Sequence, residues 1–247
     1  MQVNLKYDEC QYINMNYKQI SYVIVLMVIV SSLLIAVKPY IRFESGGGTI
    51  PGEVIKLPDP KLQGEMSVEE AIAKRRSIRS YRNEPLTLEQ LSQLLWAAQG
   101  VTHERKRSAP SAGATYPFEI YVVVGNVQGL KPGVYRYDPF EHTISLVKEG
   151  DYRKALQKAA LDQSWVGNAA VDIVLVAFYE RTTGYYGDRG IRYVHMEAGH
   201  IGENIYLQAT ALGLGTVAVG AFYDDKVAEV VGTDGAPLYI FPVGVPR

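Results

Sequence analysis

The 247-residue chain has one cysteine and almost no net charge, and both shortages exclude classes of protein. Cys10 has no second cysteine with which to form an intrachain disulfide or a CxxC-type zinc or redox centre. The formal net charge of −1 offers no bulk attraction for nucleic acid, although a local basic patch stays open. We therefore predict that nucleic acid is not a partner.

Several common catalytic motifs are also missing. The sequence contains no P-loop and no GxSxG, and the glycines at 213–215 follow a predicted helix and enter a predicted strand, the reverse of a Rossmann turn. His195 and His200 lie five residues apart on that helix and do not share a face, and Glu197 adds no recognisable ligand spacing. These absences disfavour a Rossmann dinucleotide site, a serine hydrolase and a metal centre.

One long apolar run does occur, over residues 20–37, and it contains no charged side chain. As a helix it would span roughly 27 Å, close to the hydrocarbon thickness of a bilayer. Aromatic and cationic residues stand at both ends, where membrane interfaces favour them. We predict a single-pass membrane anchor there, after an N-terminal tail over 1–19. A buried helix and a cleaved signal peptide are the alternatives.

Glycine and proline follow the run. Gly46–Gly48 precede Pro51, Pro58 and Pro60, which predicts a flexible and locally extended linker over 38–62 and a single domain over 63–247. Positive charges at the two ends of the run nearly balance, so they leave the membrane orientation open. On chemical grounds we expect the domain to face the cytoplasm, where nicotinamide cofactors are present.

Sequence patterns in the domain predict an α+β fold, with a mixed sheet flanked by helices. Capping boxes at Ser67–Glu70 and Thr87–Gln90 predict the first two helices. Apolar runs and turn residues predict strands over 119–125, 133–138, 142–147, 172–179, 216–219 and 238–243. Periodicity predicts further helices over 152–161 and 191–212, and Asp224 is the predicted N-cap of a helix that ends at Val231.

The densest cationic cluster follows the first predicted helix. Arg75, Arg76 and Arg79 surround the hydroxyl of Ser77, and such groups at a helix end can converge on a phosphate through charge-assisted hydrogen bonds. A solvated basic face is the alternative.

Two segments of small residues are candidate ligand contacts. Pro110–Pro117 is bracketed by prolines between a helix and a strand, and its small residues would let the backbone approach a flat ligand closely. A tight loop without a ligand is the alternative. Residues 213–216 and 220–222 form a second edge of this kind.

Four segments, in order, resemble the nitroreductase-like FMN flavoprotein superfamily: RRSIRSY at 75–81, PSAGATYP at 110–117, ALGLGTVAVGAF at 211–222 and PLYIFPVGVP at 237–246. Residues 126–151 and 198–209 look like its SagB-type branch, which includes dehydrogenases that oxidise thiazolines and oxazolines in peptide natural products. The resemblance covers about residues 66–246 and implies an intertwined homodimer with FMN bound at both interfaces.

The resemblance also implies a role for each matching position. The residues that would hold the FMN phosphate and ribityl chain are Arg75, Arg76, Ser77, Arg79 and Arg247. The residues that would line the flavin ring are Pro110, Ser111, Ala112, Gly113, Val219 and Gly220, the last two through a backbone N–H near the flavin N5 atom. Asn204 matches a family asparagine that would support the dimer or the cofactor.

One departure concerns the proton-transfer group of the azoline-oxidising members, a Lys-Tyr pair before a glycine. This chain has Tyr185-Tyr186-Gly187, so the tyrosine is present and the lysine is not. A tyrosine of ordinary pKa is a poor base near pH 7, which disfavours azoline oxidation. Tyr186 is the candidate catalytic residue, as a proton donor or a substrate contact, and a packed aromatic is the alternative.

The sequence thus predicts a membrane-anchored, homodimeric FMN oxidoreductase that follows a ping-pong course, with NAD(P)H or a small organic substrate as electron donor. Two other hypotheses stay open. One is a non-catalytic flavin-binding or scaffold protein in a membrane or natural-product complex. The other is a peptide-binding partner in such a complex.

Overall fold

The computed structural model describes residues 52–247. The predicted tail, the predicted membrane anchor over 20–37 and the first part of the predicted linker lie outside the described residues. Within residues 52–247, no helix has both the length and the apolar character needed to cross a membrane.

A seven-stranded sheet forms the middle layer of the domain. Its strands are β1 (Val54–Lys56), β4 (Phe118–Val124), β5 (Gly133–Asp138), β6 (Thr143–Glu149), β7 (Val171–Ala177), β8 (Gly215–Thr216) and β9 (Ala236–Gly244). They lie in the order β1-β6-β5-β4-β7-β9-β8, and each pair of neighbours is antiparallel. A parallel bridge between Ser77 and Thr216 makes the sheet mixed, as the sequence predicts.

Helices cover both faces of this sheet. They are α1 (Val68–Lys74), α2 (Leu88–Gln99), α3 (Arg153–Ala159), α4 (Ser164–Asn168), α5 (Glu180–Tyr186), α6 (Arg189–Ala211) and α7 (Asp224–Val231). A two-stranded hairpin, β2 (Val101–His103) with β3 (Lys106–Arg107), follows α2. The predicted capping box at Thr87 is complete, because Thr87 and Gln90 each accept a backbone hydrogen bond from the other residue.

Strand β7 separates two apolar cores, and all seven of its residues are buried. Ile173 and Leu175 belong to the core that includes residues of α2 and α6. Val174 and Val176 belong to the core that includes residues of α3, α4 and α7. A strand buried on both faces has to be apolar at successive positions, which explains the unbroken apolar run in the sequence.

Helix α5 is absent from the sequence-based prediction. Its sequence, ERTTGYY, contains two threonines and a glycine, which are weak helix formers. Packing against the start of α6 compensates, since Gly190 lets the two helices approach closely. A Cβ atom at residue 190 would lie 2.9 Å from the Cα atom of Thr183. Tertiary contact therefore overrides local propensity here.

Two element boundaries also differ from the prediction. Val54–Lys56 falls in the stretch assigned to the linker, yet it pairs with β6 as an edge strand, and the adjacent Leu57 is buried. Its β-branched residues favour that extended pairing despite the prolines nearby. Asp224 is the first residue of α7 rather than its N-cap, because Tyr223 occupies that position without a side-chain capping bond.

Candidate functional site

Tyr206 on α6 joins two of the predicted site segments. Its hydroxyl oxygen accepts a hydrogen bond from the Ala218 backbone N–H at 2.8 Å and lies 3.0 Å from the Ser77 Oγ atom. The Arg75 guanidinium carbon lies 5.1 Å from the centre of the Tyr206 ring. Segment 75–77 is therefore held beside the chain that leads from β8 to Gly220. The sequence analysis did not select Tyr206.

Backbone contacts explain why the chain runs this way after α1. The helix ends as the Arg75 N–H donates to the Ala71 carbonyl, and the extended chain then places the Ile78 N–H on the Thr216 carbonyl at 2.9 Å. Gly215 permits this approach, since a Cβ atom there would lie 2.6 Å from Ile78 Cγ2.

The other predicted phosphate-binding residues do not join Arg75 and Ser77. The guanidinium of Arg76 folds back and donates to the carbonyls of Ala73 and Arg75, so it caps α1. Arg79 and Arg247 instead line a separate polar cleft. The structure thus divides the predicted phosphate-binding set into two groups and leaves Arg76 out of both.

Of the backbone N–H groups of Val219 and Gly220, only one is free to donate a hydrogen bond to a ligand. The Val219 N–H donates to the Ile240 carbonyl at 2.9 Å, within an antiparallel bridge between these residues. Gly220 is exposed, and none of the residues in the described part of the chain accepts from its N–H. The Val219 N–H is therefore used within the chain, and the Gly220 N–H is the one that stays open to a ligand.

The loop Pro110–Gly113 leads into a left-handed turn. Gly113 has φ of +59°, and the non-glycine residues Ala114 and Tyr116 also have positive φ values, of +54° and +44°. Such conformations are costly for L-residues and are characteristic of functional loops. A Cβ atom at residue 113 would lie 2.6 Å from the Tyr186 hydroxyl, so Tyr186 closely approaches the loop at Gly113.

Tyr186, which approaches this loop, belongs to a cluster of three tyrosines. Tyr186 makes edge-to-face contacts with Tyr185, at 4.8 Å between ring centres, and with Tyr193, at 5.1 Å. Tyr185 is 76% exposed. The stack holds Tyr186 between an exposed ring and α6, so Tyr186 is both packed and next to the loop.

A buried acidic group, Glu197 of α6, lies beneath the loop with only 2% of its surface exposed. Its Oε1 atom accepts from Gln99 Nε2 at 3.3 Å, and the Ser111 side chain lies close enough to influence its pKa. Arg107 donates to the other end of the same amide, Gln99 Oε1, at 3.2 Å. Burial raises the pKa of Glu197 to about 7, and these hydrogen bonds limit the rise.

The loop and segment 75–77 contact different sides of α6. Glu197 and Tyr206 are nine residues apart, which is about two and a half helical turns, so they point in opposite directions and are roughly 13 Å apart along the axis. Within one chain, the loop 110–113 and segment 75–77 therefore do not lie next to each other. Asn204, the matched family asparagine, donates to the Ala97 carbonyl at 3.0 Å and ties α6 to α2.

Within residues 52–247, no group of three or more His, Cys, Asp or Glu side chains could hold a metal ion. His195 bonds instead to the Tyr179 hydroxyl at 2.7 Å, and His200 faces the Pro110 carbonyl at 3.4 Å.

Comparison with known proteins identifies relatives of this chain. Residues 72–245 match the model of a family described as the nitroreductase family. A Methanocaldococcus jannaschii protein, provisionally described as a nitroreductase, is 50% identical over 194 residues, which are 78% of this chain and 98% of that protein. The crystal structure of a protein from Ralstonia eutropha, also provisionally described as a nitroreductase, is 31% identical with a TM-score of 0.68, over 81% of this chain and 92% of that one.

A more distant relative is the trifolitoxin-processing protein of Rhizobium leguminosarum. It is 33% identical over 114 residues, which are 44% of this chain and 31% of that protein.

Proposed function

Because this chain belongs to the nitroreductase family, we propose that it is an FMN-dependent oxidoreductase that works as a homodimer. One observation carries the proposal. Two groups of residues could contact a flavin, and they lie on opposite sides of α6: the first is segment 75–77 with Gly220, and the second is the loop 110–113. A flavin held by both groups needs one of them from each of two copies, so the active unit would be the dimer that the family resemblance implies.

The residues present fit FMN chemically. Among the described residues, Arg75, Arg79 and Arg247 have no carboxylate partner within 4.0 Å, so their charges are available to a phosphate. Gly220 offers an unused N–H, and Gly113 keeps the loop free of a side chain. FMN, when bound, would supply hydride or electron transfer through its ring.

Each group of residues would then have one task. Arg75 and Ser77 would bind the phosphate or ribityl chain, with Tyr206 fixing the orientation of Ser77. The Gly220 N–H would donate to the edge of the ring, where a hydrogen-bond donor stabilises developing negative charge. The Tyr186 hydroxyl would hold a proton for the substrate or contact it directly.

The reaction we propose is a ping-pong exchange, in which one substrate delivers electrons, leaves, and is followed by a second that accepts them. The donor would be NAD(P)H or a small organic substrate. Similarity to the trifolitoxin-processing protein supports a relationship with the SagB-type branch. The exposed Tyr185 lacks the amine of the branch's lysine, which argues against azoline oxidation as the reaction.

Membrane attachment is a separate part of the proposal and is supported by the uncharged apolar run at 20–37 alone. The domain would face the cytoplasm, where it would meet nicotinamide donors.

Anaerobic titration of the purified full chain with NADH and NADPH tests the proposed activity. Loss of flavin absorbance with either donor, and its recovery when an acceptor such as a quinone is added, is the expected result. Bound flavin that no two-electron donor reduces would instead favour the non-catalytic flavin-binding protein.

A further inference from the structure

A polar cleft of about 460 Å³ has neither Tyr206 nor any residue of segment 75–77 in its lining. Its lining includes the charged and polar side chains of Arg79, Arg153, Lys154, Ser164, Asn168 and Arg247. The cleft thus combines the segment after α1, the helices α3 and α4, and the residue that follows β9 by three positions. Two of its cations, Arg153 and Lys154, were not selected by the sequence analysis.

The charges in this cleft are unbalanced. Four cationic side chains line it, and no Asp or Glu side chain is among its lining residues. Arg153 is neutralised from outside by Asp151, whose carboxylate accepts from the guanidinium at 2.6 to 3.2 Å. Arg79 and Arg247 have no carboxylate within 4.0 Å among the described residues. Three cationic side chains on one concave surface, Arg79, Lys154 and Arg247, therefore have no carboxylate partner in the described part of the chain, and this surface attracts an anion.

Neutral groups hold the other three cations, Arg79, Lys154 and Arg247, in position. Lys154 Nζ donates to Gln157 Oε1 at 3.1 Å and to Asn168 Oδ1 at 3.2 Å. Gly167 leaves room for this ammonium, since a Cβ atom there would lie 3.0 Å from Nζ. Because neutral oxygens fix the charge without neutralising it, the ammonium keeps its full attraction for a ligand.

The two arginines are fixed in the same manner. Arg247 Nε donates to the Tyr81 carbonyl at 3.0 Å, which leaves its terminal nitrogens for another acceptor. The guanidinium of Arg79 lies 5.6 Å from the ring centre of Trp165, a contact that orients it and also leaves its N–H groups unspent. Planar guanidinium groups held in this way match the oxygens of a phosphate.

We propose that this cleft binds a phosphate group and that Lys154 is a binding residue there, beside Arg79 and Arg247. Two ligands carry such a phosphate. One is FMN, whose binding rests on the proposed function, and the other is a second nucleotide such as the nicotinamide donor. Arg75 and Ser77 lie at Tyr206 rather than in the cleft, so the chain offers two cationic positions for these phosphates.

The test uses Lys154→Gln in the purified full chain, with Lys158→Gln as a matched control. Lys158 is exposed one turn further along α3 and does not line the cleft. Dissociation constants are measured for FMN, riboflavin, NADPH and inorganic pyrophosphate, and tryptophan fluorescence, to which Trp165 beside the cleft contributes, reports the binding of pyrophosphate. Lys154→Arg keeps the charge and is expected to restore binding, which separates loss of charge from misfolding.

We expect Lys154→Gln to weaken pyrophosphate binding about tenfold, the size of one lost charge-assisted contact, and Lys158→Gln to change it less than twofold. A parallel loss for FMN but not for riboflavin would assign the cleft to the FMN phosphate. Unchanged FMN affinity with weaker NADPH binding would assign it to the second nucleotide.

Equal affinities of the two glutamine variants for all four ligands would overturn the proposal. A wild-type chain that binds neither flavin, yet binds pyrophosphate in a Lys154-dependent manner, would refute the proposed function and support the phosphate cleft.

Discussion

Replacing Glu197 by Gln tests the buried network under the loop 110–113. Glu197 is 2% exposed, and burial raises its pKa from an ordinary 4.5 to about 7. The folded chain therefore holds this proton more tightly than the unfolded chain does. The resulting stabilisation is fully present below about pH 4.5 and is lost as the pH rises through about 7.

The size of the effect follows from the two pKa values. Between about pH 5.5 and pH 8, wild-type stability should fall by about 2 kcal/mol because of Glu197 alone. Gln is neutral throughout this range, and its side-chain oxygen can still accept the hydrogen bond from Gln99. The variant should therefore lack this part of the fall in stability.

Urea unfolding of the full chain without added flavin, at several pH values, measures this difference. Asp172 contributes a fall of the same direction, since burial raises its pKa and neither of its oxygens has a hydrogen-bond partner among the described residues. Asp172 is present in both proteins and cancels in the comparison. Glu203→Gln, at an exposed position of α6, is the control and should keep the wild-type slope. A wild-type slope in Glu197→Gln would refute the reasoning.

Three further predictions concern the loop, the cofactor residues and the anchor. Arg75→Ala should weaken FMN binding at least tenfold in a fluorescence titration. Arg76→Ala removes only a cap of α1 and should change FMN binding less than about twofold. Equal losses in the two variants would contradict the division of the cationic cluster. Gly113→Ala should lower the free energy of unfolding by about 1 kcal/mol or more, because of its positive φ and the nearby Tyr186 hydroxyl, and Tyr186→Phe should recover part of that loss in a double-mutant cycle. Removing residues 1–44 should release the protein from sedimented membranes, and a full chain already in the soluble fraction would argue against the anchor.

Local patterns predicted most of the sheet and the longer helices. The apolar run of β7 indicated burial on both faces, and the Thr87 capping box located the start of α2 within the first turn. Helix α5 escaped prediction because its threonines and glycine have low helix propensity, and its contact with α6 depends on residues that pack only after folding.

The candidate site was predictable in composition but not in arrangement. The arginines at 75–79 are adjacent in sequence, yet an extended chain and a helix cap send their side chains to three different places. Glu197 had a usable signal, since it lies three residues after Val194 and four before Ile201 on the apolar face of α6. A carboxyl group on the apolar face of a helix is buried, and burial shifts its pKa. The sequence analysis considered Glu197 only as a metal ligand and so did not select it for this reason.

The most direct measurement is the absorbance spectrum of the purified full chain before and after denaturation. Flavin bands in the folded protein, with FMN rather than FAD released on unfolding, are the predicted result. A colourless protein that also fails to take up added FMN would contradict the assignment of an FMN-dependent oxidoreductase.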